Sequence, residues 1–215
     1  PDPTNLVANS AQAARFGHKL FFDEQLSITG TIACASCHIP TQNFRDLLPK
    51  AIAIGEAERR TPSITGGAYS PWQYWDGRKD SQWSQALAPL ERPLEHGGNR
   101  TFYARYVLDK YKDEYELIFG LGPDLSDIDR FPVHAGPLEN LDWNSAWQKM
   151  TLQDRDSINR IFVNIGKAIA AYERLILPEP TRFDEYAEAL LSGEEITDYS
   201  YDEVEGLRLF IGRGN

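Results

Sequence analysis

Cys34-Ala35-Ser36-Cys37-His38 is the stretch of this chain whose residue types and spacing name a chemistry. Two thiols three residues apart, followed at once by a histidine, form the attachment site for a c-type haem. The thiols add to the two vinyl groups of the porphyrin as thioethers, and the adjoining imidazole becomes the proximal ligand of the iron. These are the only two cysteines in 215 residues, so no other use competes for them. Two rival readings are weaker. A disulfide or thioredoxin-like redox pair needs a βαβ context that is lacking here. A structural zinc needs a fourth ligand from the scattered His18, His96 or His134.

The elements that must position this motif read as helices and loops. Ser10 to Phe22 predicts a helix with Ser10 as N-cap, and Asp23 to Thr31 a loop leading into the motif. From Ile39 to Ser70 the text is broken by Pro40, Pro49, Gly55, Pro62, Gly66 and Gly67, which predicts loops wrapped over a cofactor. Asp80 or Ser81 can cap a short helix that Pro89 ends or kinks. Pro89 to Gly98 reads as loop, Phe102 to Phe119 as helix, and Gly120 to Leu141 as a Pro/Gly-rich connection. Asp156 to Leu177 is the strongest helix, because Ile158, Ile161, Phe162, Ile165, Ile169 and Tyr172 repeat at three and four. Pro178-Glu179-Pro180 stops it and marks a boundary. Hardly any window alternates with period two, so the fold class is all-α.

The bulk properties set limits. An apolar fraction of 41% with 25% charged residues is an ordinary globular composition. No run of some 20 apolar residues predicts a membrane span. The net charge of −10 argues against nucleic acid, which needs a basic footprint, and suits a small, positively charged electron donor. The chain opens on Pro1-Asp2-Pro3, which predicts a signal peptide absent or already removed. Haem c is assembled outside the bacterial cytoplasm, so the expected location is the periplasm. One internal echo stands out: Gly17-His-Lys-Leu20-Phe21 and Gly206-Leu-Arg-Leu209-Phe210 share Gly-x-x-Leu-Phe at the end of a helical segment. Beside the haem motif, it predicts the start of a second haem domain.

Together with that motif, Gly17-His-Lys-Leu-Phe-Phe-Asp23, Thr61-Pro-Ser63, Tyr74-Trp-Asp-Gly-Arg78, Glu91-Arg-Pro-Leu-Glu95 and Asn164-Ile-Gly-Lys-Ala-Ile-Ala-Ala-Tyr-Glu-Arg174 resemble, in order, the bacterial di-haem cytochrome c peroxidase family, which includes MauG-type enzymes. The resemblance covers most of the chain outside a variable patch at roughly 120–150. It implies two cytochrome-c-like helical domains with long loops, each holding one haem c: an N-terminal peroxidatic domain over 1–178 and the beginning of a second over 179–215. The second haem motif is expected just beyond Asn215. It also implies a calcium ion between the domains. Arg60 precedes Thr61-Pro62 where the family usually has Asn, and a cation there repels calcium, which weighs against that site.

The same resemblance implies the site. Hydrogen peroxide meets the N-terminal haem, with His38 as proximal iron ligand and Cys34 and Cys37 as attachment points. Many members block the opposite position with a histidine in the loop after the motif. Here that stretch reads Ala53-Ile-Gly-Glu-Ala-Glu58, which resembles the permanently open members; His96, His134 or Met150 could ligate instead, though Met150 reads as core. Glu95 corresponds to the distal acid/base and Gln85 to the residue that orients peroxide, with Pro89 lining the pocket. A catalytic Glu95 is expected to be partly desolvated. Trp75 stands at the position of an electron relay between haems, although Trp72, Tyr74 and Trp75 could equally form an aromatic core cluster. Arg78 could bind a haem propionate. The expected function is a di-haem oxidoreductase that reduces peroxide with electrons from a small cytochrome or copper protein. The alternatives are a MauG-like enzyme oxidising residues of a partner protein, and a non-catalytic electron-transfer cytochrome. A homodimer is compatible with each.

Overall fold

The computed structural model describes residues 2–194 and 198–214. It divides into two compact units, Pro1–Leu177 and Pro178–Asn215. The first contains helices α1 (Ala11–Phe21), α2 (Cys34–Cys37), α3 (Gln82–Glu91), α4 (Arg100–Lys110), α5 (Lys112–Phe119), α6 (Leu141–Lys149) and α7 (Leu152–Glu173). The second contains α8 (Arg182–Ser192) and α9 (Tyr201–Ile211). No strand occurs among the described residues, so the class is all-α.

α7 is the axis of the first unit, with α1, α3 and α4 packed on it. Its stripe of Ile158, Ile161, Phe162, Ile165 and Ile169 is buried, as the three-and-four spacing predicts. Burying such a side chain contributes roughly 1.5–3 kcal/mol. Two glycines allow the closest helix contacts. A Cβ at Gly17 of α1 would lie 1.9 Å from the Ala168 carbonyl oxygen of α7. One at Gly166 of α7 would lie 2.6 Å from the Trp83 carbonyl oxygen of α3. Backbone meets backbone at both crossings, so a methyl group has nowhere to go.

Helix boundaries differ from the sequence reading for local reasons. α7 begins at Leu152 because Thr151 caps it, its hydroxyl accepting from the Asp154 amide. It ends at Glu173, before the last apolar residues of the predicted span. The predicted 102–119 helix is two helices broken at Tyr111, the first capped by Asn99. Leu141–Lys149, at the end of the predicted connection, is a helix capped by Asn140. α3 runs past Pro89 to Glu91. Proline cannot donate to the carbonyl four residues back. The carbonyl freed in this way, that of Gln85, accepts instead from the Tyr74 hydroxyl at 3.4 Å.

In the second unit, α8 and α9 each start with a capping box, Thr181 with Asp184 and Ser200 with Glu203. Gly206-Leu-Arg-Leu-Phe210 lies in the C-terminal part of α9, as Gly17–Phe21 does in α1.

Candidate haem cavity

The loop segment after α2 folds back through a strained turn. Asn43 and Phe44 both adopt positive φ, 54° and 53°, a conformation that costs energy unless its surroundings enforce it. The turn aims the Phe44 carbonyl at His38, whose Nδ1 donates to it at 2.9 Å. A carbonyl only accepts, so the proton sits on Nδ1 and the lone pair on Nε2. Burial lowers the His38 pKa, which keeps the ring neutral and ligand-competent. Thr61, buried in the Thr-Pro-Ser phrase, donates its hydroxyl to buried Asp46 at 2.6 Å and so ties the returning loop in place.

His38 opens on a cavity of about 580 Å³, within the roughly 300–1,000 Å³ of small-molecule sites. Cys34, Cys37, Trp75, Arg78, Gln85, Pro89 and Glu95 all line it, so every site residue expected from the sequence borders one space. His134 does not; it stacks on Phe102 and Trp143 and bonds Asn99. Met150 is buried in the core cluster.

Both cysteines are free thiols. Burial pushes both up, and for Cys34 the nearby Glu173 carboxylate adds to the effect. Such thiols lack the lowered pKa of a redox-active pair. Nor do any three His, Cys, Asp or Glu side chains among the described residues cluster as a metal site.

Glu95 is half-buried and bonds Arg92 at 2.8 Å, while Glu91 is the last residue of α3 and pairs with Arg100 at 3.1 Å. The aromatic-core alternative for the Tyr74 phrase is not what the fold does with it. Trp72 and Trp75 are 62% and 59% exposed at the cavity, and Trp75 donates its indole N–H to the Arg60 carbonyl. Arg78 stacks on the Tyr74 ring at 3.5 Å and bonds Asp76 at 2.7 Å.

Two further cavity residues carry chemistry: His96, which the sequence offered only as an alternative ligand, and Glu173, to which it assigned no role. His96 is 3% exposed, and neither ring nitrogen has a partner. Burial lowers its pKa to about 4, with His38 adding to the shift. Glu173 is 6% exposed, and burial raises its carboxyl to about 8. Buried polar atoms are nearly always partnered, so the orphaned His96 ring on this cavity points to a group that completes it. The thiol pair, the free His38 Nε2 and the unpartnered His96 ring fit a covalently held haem.

A helical shell around a cavity that opens on a Cys-x-x-Cys-His turn is the arrangement of a c-type haem domain. The family model for di-haem cytochrome c peroxidase matches residues 11–190, and the chain belongs to that family, whose cofactor is haem c. Cytochrome c551 peroxidase of Nitrosomonas europaea is 24% identical over 97% of the chain and 52% of its own length. Methylamine utilization protein MauG of Methylorubrum extorquens is 41% identical over 37% of the chain and 23% of its own length. Among solved structures, a MauG-like protein associated with microbial copper homeostasis superposes with a TM-score of 0.64 at 22% identity, covering 96% of this chain and 51% of that one. The diheme peroxidase BthA from Burkholderia thailandensis gives 0.64 at 22% identity, over 99% and 47%. The chain thus spans about half the length of the relatives that match it throughout.

Proposed function

We propose that this chain is the peroxide-reacting half of a periplasmic di-haem oxidoreductase, in which Cys34 and Cys37 would hold haem c covalently and His38 would ligate its iron. The observation that carries this reading is that the attachment motif and the Gln85, Pro89 and Glu95 set line one cavity. When bound, the haem supplies an iron that takes up peroxide and exchanges electrons. The residues do the rest. The Phe44 carbonyl holds the His38 ring by its Nδ1–H, keeping Nε2 directed to the metal. The Gln85 amide hydrogen-bonds and orients peroxide. A Glu95 carboxylate oxygen takes the proton from one peroxide oxygen and returns it to the other as the O–O bond breaks. Arg92, at 2.8 Å, holds that carboxylate in position. The overall reaction consumes two electrons and two protons per peroxide and yields two waters, with a small cytochrome or copper protein as donor.

A second reading, oxidation of residues in a partner protein, is favoured by the 41% identity to a MauG segment and by the exposure of Trp75, which can pass an electron from a docked surface. No helix among the described residues is long and apolar enough to cross a membrane. The test is steady-state peroxide consumption by the full-length protein with a reduced small cytochrome. Sustained turnover supports the peroxidase. Slow turnover with covalent change in a co-purifying protein supports the second reading.

A further inference from the structure

Glu173 ends α7 on the cavity, buried to 6% exposure on the apolar stripe that continues from Ile165 and Ile169. No hydrogen bond or ion pair holds it among the described residues, and burial is the sole cause of its raised pKa of about 8. The titratable groups that face it are the Cys34 thiol of α2 and Tyr172 of its own helix. α1, α3 and α4, the helices packed on α7, supply no cation to it. Across the cavity, Glu95 and Cys37 act on the same Cys34 thiol. Thioether formation removes both thiols as acids and leaves Glu173 as the carboxyl that acts most strongly at Cys34, ahead of Glu95. An unpaired carboxylate in such surroundings is costly, so the group holds a proton more tightly than a surface carboxyl does.

We propose that Glu173 is the redox-linked proton site of this cavity, binding a proton when the haem iron gains an electron and releasing it when the electron leaves. The inference rests on the haem reading above. One electron from an external one-electron reductant enters the iron, and one proton from solvent forms the O–H bond on a Glu173 carboxyl oxygen, so the net charge of the cavity is unchanged. Linkage is reciprocal: the added electron raises the proton affinity of Glu173, and the proton eases reduction by the same factor. Glu173 therefore acts on the iron through charge, as a positioning residue for the proton, without touching peroxide.

The test is a spectroelectrochemical titration of the haem attached at Cys34 and Cys37, in the full-length protein. In the wild type the midpoint potential should fall between about pH 6 and about pH 9, with a slope approaching 59 mV for each tenfold drop in proton concentration. Glu173→Gln keeps the shape and removes the titration, and should flatten that slope. An unchanged slope in Glu173→Gln overturns the proposal, as does a flat wild-type potential. A redox-difference infrared spectrum of the wild type gives an independent reading if the variant does not fold. A protonated carboxyl C=O band should grow on reduction, and its absence overturns the proposal equally. Failure of the haem reading is distinguishable, since the polypeptide would then carry no covalent haem to titrate.

Discussion

His96 makes the pH dependence of folding a test of how the cavity is built. The imidazole titrates near 6.5 in the unfolded chain and near 4 in the folded one, chiefly because burial penalises its charged form. A gap of about 2.5 pH units at about 1.36 kcal/mol per unit is about 3 kcal/mol. The folded-state pKa is depressed, so this stability is present above about pH 6.5 and is lost as the pH falls towards 4. Between pH 7 and pH 5 the loss from this one residue is about 2 kcal/mol. His38 is shifted in the same direction, so the wild-type slope alone does not identify the source. The assay is urea unfolding of the haem-loaded protein at both pH values, for the wild type and for His96→Leu. The variant should lose about 2 kcal/mol less than the wild type on acidification. Parallel losses in the two proteins would refute a buried, neutral, unpartnered His96.

Four further outcomes are expected. Acid-acetone should leave the red colour on the polypeptide, and the Cys34→Ser, Cys37→Ser double variant should release it; free haem from the wild type would remove the basis of the whole reading. The ferric spectrum should carry a high-spin component, since no histidine stands in the loop after the motif; a wholly low-spin spectrum that turns high-spin in His96→Leu would give the second axial position to His96. Glu95→Gln should slow the reaction with peroxide by about 100- to 10,000-fold while leaving haem attachment intact. Glu91→Gln, at a residue outside the cavity and paired with Arg100, should not, so equal slowing in both variants rejects Glu95 as the distal acid. Gly17→Ala should destabilise the fold by at least the upper end of the roughly 1–3 kcal/mol of overpacking, read as a lower melting temperature; an unchanged melt would mean that α1 and α7 can separate freely.

What was legible in the sequence divides along physical lines. Local, covalent or periodic signals could be read directly. The Cys34–His38 spacing, the Ser10 cap and the α7 stripe each need only neighbours in the chain. Signals that depend on what a distant segment does were not legible. Nothing at Asn43-Phe44 announces a positive-φ turn that aims a carbonyl at His38, because the strain is enforced by Thr61, Ser63 and Asp46 holding the loop. Pro89 reads as a helix end or kink, and the helix continues to Glu91 because Tyr74 supplies the missing donor to Gln85. Trp72 and Trp75 read equally well as core, since apolar bulk does not reveal which aromatic rings remain exposed at a cavity rim. One overlooked signal was present. Glu173 falls four residues after Ile169, on the buried face of α7, where an acidic side chain conflicts with its neighbours. Sequences that specify one fold are locally consistent, and departures concentrate where function requires them. Glu173 and His96 are two such departures, and both lie on the cavity that Cys34, Cys37 and His38 define. The parts of this chain that fit the folding rules least well are therefore those that best mark its chemistry.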